Sequence, residues 1–478
     1  MQPQAIEGEF LVQFKTNKSL NSLATQAAPA WFQKLGKDVQ VDTSLQMFNI
    51  AHVRLANPAS TGKWQNLADI MSSDANVEYV SPNYMVHALG GKPNDSLVDS
   101  MWFLNRIEAF KAWDSLPNTN ADDVIVAVVD TGIQYNHEDL RGHIWKNEDE
   151  IPDNQIDDDK NGYVDDVVGW NFVDNNHLPY AYLNALPVLG HDPDTGRYLC
   201  TPHPTIKIYE THGTHVAGTI AAVKNNNKGI VGIAEKVKIM PLKALGGTCG
   251  GGDTVSILKA VQYAVDNGAK VVNMSLGGYG HSPLAERMYK ALTDRGVLIV
   301  AAAGNNANDN DGRHRSYPAS YPSDGILSVA ASNESDELAR FSNFGKRYVD
   351  LASPGVNIVS TIPAGHDPIP RNEYKASQGT SMAAPIVSGT AALLLAQNPS
   401  LTNLELKARL MASVDKSPAF RDKVASGGRL NIFKALNQRH VIVQKPDRNE
   451  KSPIPTARHE DSVGGIRIFD HREDRQKW

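Results

Sequence analysis

The stretch V-I-V-A-V-V-D-T-G, residues 124–132, is an unbroken apolar run closed by a carboxylate and a glycine turn. It shows no polar alternation, so it reads as a strand buried on both faces, as in a parallel sheet covered by helices. Working outward, similar short runs lie at 237–242, 271–274, 297–303, 326–331 and 349–352. Helical stretches fall between or after them, at 212–223, 254–267, 282–295 and 381–397. This alternation predicts an α/β fold, an open, mostly parallel sheet with helices on both faces. Such a sheet binds its ligand beyond the carboxyl ends of its strands.

Four polar residues fall on that edge. Asp130 closes the first run. His212 opens the helix H-G-T-H-V-A-G-T, whose small residues permit close packing, and Asn305 follows the run V-L-I-V-A-A-A-G-N. Ser381 stands in G-T-S-M-A-A-P at the head of a small-residue helix, with Pro385 expected in its first turn. Amide donors and the positive dipole end meet at such a helix start, where negative charge is stabilised. A serine hydroxyl becomes a good nucleophile when an imidazole takes its proton, and a carboxylate fixes that imidazole. A side-chain amide adds an oxyanion donor.

Taken singly, each residue is equally an ordinary cap or turn former. The spacing of His212 and His215 lacks the Glu of a metalloprotease helix, so His215 reads as a packing histidine. Asp-Thr-Gly recurs at Asp194, but no buried strand precedes it, which disfavours a carboxylate dyad.

The motifs D-T-G-I, H-G-T-H-V-A-G-T, A-A-G-N and G-T-S-M-A-A-P, in that order, resemble the subtilisin-like serine proteases over about residues 98–436. The resemblance implies a serine endopeptidase, made as a zymogen, that hydrolyses peptide bonds through an acyl-enzyme. Asp130 is then the orienting carboxylate, His212 the general base and acid, and Ser381 the nucleophile. Asn305 and the Ser381 amide are the oxyanion donors. Gly250, Gly251 and Gly252, with Ser275, Leu276, Gly277 and Gly278, match the family's two edge strands that flank the substrate. The first specificity pocket is expected from Leu276 to Gly278, from Ala302, Ala303 and Gly304, and from the neighbourhood of Ser316. Asn306 and Ser316 are not acids, which favours an apolar or aromatic side chain before the cut. Asp309 and Asp311 in the intervening loop keep a basic preference open. A binding-only pseudoenzyme is disfavoured because all four positions are filled. An esterase would leave the glycine strands without a purpose.

Calcium enters at two places. Asp157, Asp159, Asn161, Gly162, Asp165 and Asp166 follow the D-x-D-x-N-G opening of a calcium loop, with Val168 standing where an EF-hand carries its Glu. A solvated acidic insertion is the alternative. Asp139 and Asn226 match a structural calcium site of the family.

Residues 1–89 read as strand, helix, strand, strand, helix, strand, a small α+β ferredoxin-like domain, followed by a polar linker at 90–97. The resemblance makes this domain a propeptide, a folding aid and intramolecular inhibitor, with self-cleavage expected between Leu89 and Gly90. The catalytic domain is then 90–436, and 437–478 is a polar, Pro-containing extension with one short apolar run at 465–469. The 478 residues carry a formal charge of -6, which gives no case for nucleic acid. No apolar run approaches the ~20 residues of a spanning helix, and the first residues lack the basic and apolar regions of a leader. A monomer acting on protein or peptide substrates in a secreted or periplasmic setting is the expectation. Cys200 and Cys249 leave a bridge and free thiols equally open.

Overall fold

The computed structural model describes residues 5–16, 39–55, 64–84, 92–116, 122–180, 182–183, 185–191, 198–202, 208–246, 251–364 and 371–438. The helix expected at 20–35, Leu89, Gly90, Asp194, Cys249, Gly250, the side chain of Cys200 and the run at 465–469 lie outside them. The chain divides into two compact units, residues 1–92 with 113–115, and residues 93–112 with 116–478.

In the first unit four strands pair antiparallel in the order Val39–Asp42, Ile50–Leu55, Ala5–Phe14, Val77–Tyr84. Alternation along the two central strands sends Phe10, Val12 and Phe14, with Ala51, Val53 and Leu55, to one face. The helix Trp64–Ser72 buries Met71 in the same core. The first strand lies inside the sheet and the last beside it, the strand order of a split arrangement whose first expected helix falls outside the described residues.

In the second unit a nine-stranded sheet carries the core. Its order is Asp415–Lys416, Gly428–Arg429, Leu351–Pro354, Ile326–Ser332, Leu298–Ala302, Val271–Met274, Val124–Asp130, Val237–Lys243, Trp170–Asn171. All pairings are parallel except the one between the first two. Val124–Asp130 is the pivot. From it the chain adds Val237–Lys243 on one side, and then Val271–Met274 and its successors on the other. Val126 accordingly lies between Ile239 and Val271. A crevice opens where strand order reverses, at the carboxyl ends. Asp130 ends the strand at that point.

The helix Thr380–Gln397 is buried almost throughout. By length and apolar content it would pass for a membrane span, yet here it is a core helix sheathed by the sheet and by His212–Ala221. Pro385 is its sixth residue, so it stands in the second turn and not the first. Its ring has no N–H for the Ser381 carbonyl, and the Ser275 hydroxyl donates to that carbonyl instead, at 2.8 Å. The antiparallel pair Ile358–Ala364 and Arg371–Ser377 adds a hairpin that the sequence reading did not anticipate.

Candidate active site

Asp130 is fully buried. Its Oδ1 accepts the Thr131 amide and the His212 Nδ1 proton, both at 2.7 Å, while its Oδ2 is buried with no partner. The helix that carries His212 can come this close because Gly213 follows. A Cβ there would lie 2.3 Å from the Gly132 carbonyl oxygen and 3.1 Å from Asp130 Oδ1. The imidazole is about a third exposed, with its side chain 32% accessible. Burial pulls its pKa down, but the charge and hydrogen bond of Asp130, helped by the charge of Glu210, reverse this and hold it above the ordinary 6.5.

Ser381 is the second residue of its helix, after Gly379 with φ 150°. Its hydroxyl donates to the Ser275 carbonyl at 3.1 Å rather than to His212. With the return bond from the Ser275 hydroxyl, this ties the helix start to the end of Val271–Met274. Asn273 supports the tie, donating to the Ser275 hydroxyl at 3.0 Å and accepting from Ser388 at 2.8 Å. Asn305 is exposed, but its Oδ1 is pinned by the Thr380 amide at 2.8 Å and the Thr380 hydroxyl at 2.9 Å. That leaves the Asn305 amide nitrogen as a donor beside the Gly379 turn and the Ser381 N–H. The fold therefore gathers Asp130, His212, Ser381 and Asn305 at one sheet edge.

A cleft of about 610 Å³ runs along this edge, with Thr131, Glu210, His212, Gly251, Gly252 and Leu245 on it, and Ser275 to Gly278 facing in as well. Tyr289, Tyr317 and Tyr321 line the same cleft. Ala302 and Ala303 are buried at the sheet, Ala303 in an apolar cluster with Val349 and Phe420, and Gly304 is half-buried. Ser316 is buried close to Gly277 and Gly304. Asp309 and Asp311 hold their own loop. Asp309 accepts the Asp311 amide, and Asp311 accepts the amides of Arg347 and Tyr348. Neither acid lines the cleft. His215 is buried against the carbonyls of Ile358 and Lys375, and burial lowers its pKa to about 4, so it is a neutral packing residue.

The acidic loop is folded by its own side chains. Asp157 accepts the Asn161 and Gly162 amides, and Asp165 accepts those of Asn154 and Gln155. Asp159 and Asp166 both accept from Asn147 and Asn161, and Tyr263 donates to Asp166. Burial raises the pKa of Asp166. One carboxylate oxygen each from Glu150, Asp159 and Asp166 lies within 4.8 Å of the others, a set of hard donors that fits a calcium ion. Glu150 was missed because it lies outside the D-x-D-x-N-G run, and only folding brings it in.

At the second place Asn226 donates to Asp139 at 2.6 Å, and burial pushes the Asp139 pKa to about 6. Asp95, 2% exposed and unmarked by any motif, accepts the amides of Asn225 and Asn226 beside it.

Comparison with known proteins gives a consistent result. The model of the subtilase family matches residues 121–434. A thermophilic serine proteinase of Bacillus sp. (strain AK1) is 31% identical over 440 residues, covering 90% of this chain and 88% of that protein. An extracellular basic protease of Dichelobacter nodosus is 35% identical over 408 residues, 81% of this chain and 62% of that protein. Among solved structures, a protease of Pseudoalteromonas arctica PAMC 21717 matches with a TM-score of 0.57 and 27% identity, over 73% of this chain and 99% of that one.

Proposed function

The chain belongs to the subtilase family and is a serine endopeptidase acting on proteins, and from that premise we propose that Asp130, His212 and Ser381 are its catalytic triad. The observation that carries this reading is the 2.7 Å bond from His212 Nδ1 to a fully buried Asp130 at the edge where Ser381 also stands. With Nδ1–H donated to Asp130, the Nε2 face of the imidazole is the one left to accept a proton. On substrate arrival the Ser381 hydroxyl turns from the Ser275 carbonyl to that nitrogen, gives up its proton and attacks the scissile carbonyl. Asn305, oriented by Thr380, and the Ser381 amide stabilise the oxyanion. The imidazolium then protonates the leaving amine, and water enters by the reverse path to release the acyl group.

Gly251, Gly252 and Ser275 to Gly278 are read as the two strands between which an extended substrate pairs, with Gly250 continuing the first. Tyrosines along the cleft, and the engagement of Asp309 and Asp311 elsewhere, support an apolar or aromatic residue before the cut. Calcium is a common structural ion of subtilases. Asp159 and Asp166 with Glu150 form the first proposed site. Asp157, Asn161 and Asp165 shape its loop, and Asp139 with Asn226 and Asp95 forms the second. Bound calcium would neutralise these carboxylates and stabilise the fold by linkage.

Residues 1–89 are read as an inhibitory propeptide released by self-cleavage between Leu89 and Gly90. Export from the cell follows from the same reading, supported by the relative named as extracellular. Intact-mass analysis of the full chain and of Ser381→Ala, each incubated with calcium, tests both triad and zymogen. Loss of about the first 89 residues from the wild type alone is the expected result. An uncut wild type, or equal cutting of both, would refute self-processing.

A further inference from the structure

Glu210 is the one carboxylate among the described residues that line the cleft. It stands two residues before His212, half-buried, and has neither a hydrogen-bond nor an ion-pair partner. Lys243, 1% exposed at the end of Val237–Lys243, is the cation whose charge acts on it most strongly, but its ammonium is engaged by the Thr131 carbonyl. Burial pushes the Glu210 pKa up, and the charge of Lys243 offsets only part of that. A half-buried carboxylate that gives up solvation without gaining a donor is incompletely compensated, and a cation brought to it restores what was lost.

An extended peptide paired between the glycine strands alternates its side chains. The residue just before the cut enters the pocket at Leu276 to Gly278. The preceding one then points away from that pocket, and Thr131, Glu210, His212 and Leu245 line the same cleft. We propose that Glu210 makes its part of the cleft a subsite for a cationic side chain, so that the enzyme selects Lys or Arg at the second position before the scissile bond. The subsite rests on the triad reading above. The selectivity is assigned to Glu210 because, among the described residues, no other lining residue except His212 carries a formal charge of either sign near neutrality.

The test uses the full chain, activated with calcium, and three fluorogenic peptides identical except for Lys, Ala or Glu two residues before a Phe-X cut. The wild type should favour Lys over Glu by about tenfold or more in kcat/KM. Glu210→Gln should bring that ratio to within about twofold, and Glu210→Lys should invert it. Each ratio is taken within one enzyme preparation, so partial misfolding of a variant cancels. A wild type without charge preference, or a preference that survives in Glu210→Gln, overturns the subsite alone. A wild type that cleaves no peptide and takes up no serine-directed fluorophosphonate overturns the triad reading and the subsite with it.

Discussion

The sheet edge at Asp130 and the acidic loop around Asp166 are both crowded with polar groups, but they are held together in opposite ways. At the edge, three of the four proposed catalytic groups are fixed by residues outside the set, and His212 by Asp130 within it. Asp130 is fixed by the Thr131 amide, Asn305 by Thr380 and Ser381 by Ser275. That geometry stands without any ligand, as electrostatic preorganisation requires. In the loop, Glu150, Asp159 and Asp166 face one another within 4.8 Å, and amides of the same loop are much of what they bind. Like charges so close are relieved by a cation. The edge should therefore fail by losing chemistry, and the loop by losing stability.

The sharpest break of this contrast is Ser381→Ala, expected to lower kcat about 10⁶-fold, a size borrowed from subtilisin itself, with little change in melting temperature. An equal loss of fold and activity would show that the tie to Ser275 is structural first. Asp130→Asn should cost about 10⁴ in kcat. It should also move the pH profile. The base must be neutral to act, and Asp130 raises the His212 pKa, so the acid limb of wild-type kcat/KM should lie above pH 6.5 and shift lower in the variant. A limb that stays in place would detach Asp130 from His212. Asn305→Ala should lower kcat by ~10²–10³, again subtilisin's figure, with KM nearly constant. A rise in KM instead would make Asn305 a substrate-binding group.

The smallest effect on catalysis is expected at the loop. Chelation, or Asp159→Asn, should lower the melting temperature by several degrees, since calcium at 100 times its Kd contributes about 2.7 kcal/mol. Turnover of the still-folded enzyme at 25 °C should change by less than about threefold. Unchanged melting with and without calcium would leave the loop a self-satisfied acidic insertion.

The central sheet was legible because its strands are apolar on both faces, and Val124–Asp130 and Val271–Met274 need no partner to be recognised. The four edge residues were legible because each stands in a local motif at an element's end. What escaped has no local signature. Arg371–Ser377 is a polar, largely exposed strand without apolar alternation. Glu150 and Asp95 reach their clusters only through tertiary folding. Pro385 falls in the second turn because Gly379 caps the helix, and its consequence, the freed Ser381 carbonyl taken by Ser275, is a long-range contact.

The most direct test of the account is fluorophosphonate labelling of the calcium-activated full chain, followed by peptide mapping, with Asp130→Asn in parallel. One adduct per chain is expected on Ser381, formed orders of magnitude more slowly in the variant. An adduct on another residue, or none on a folded, calcium-treated protein, would contradict it.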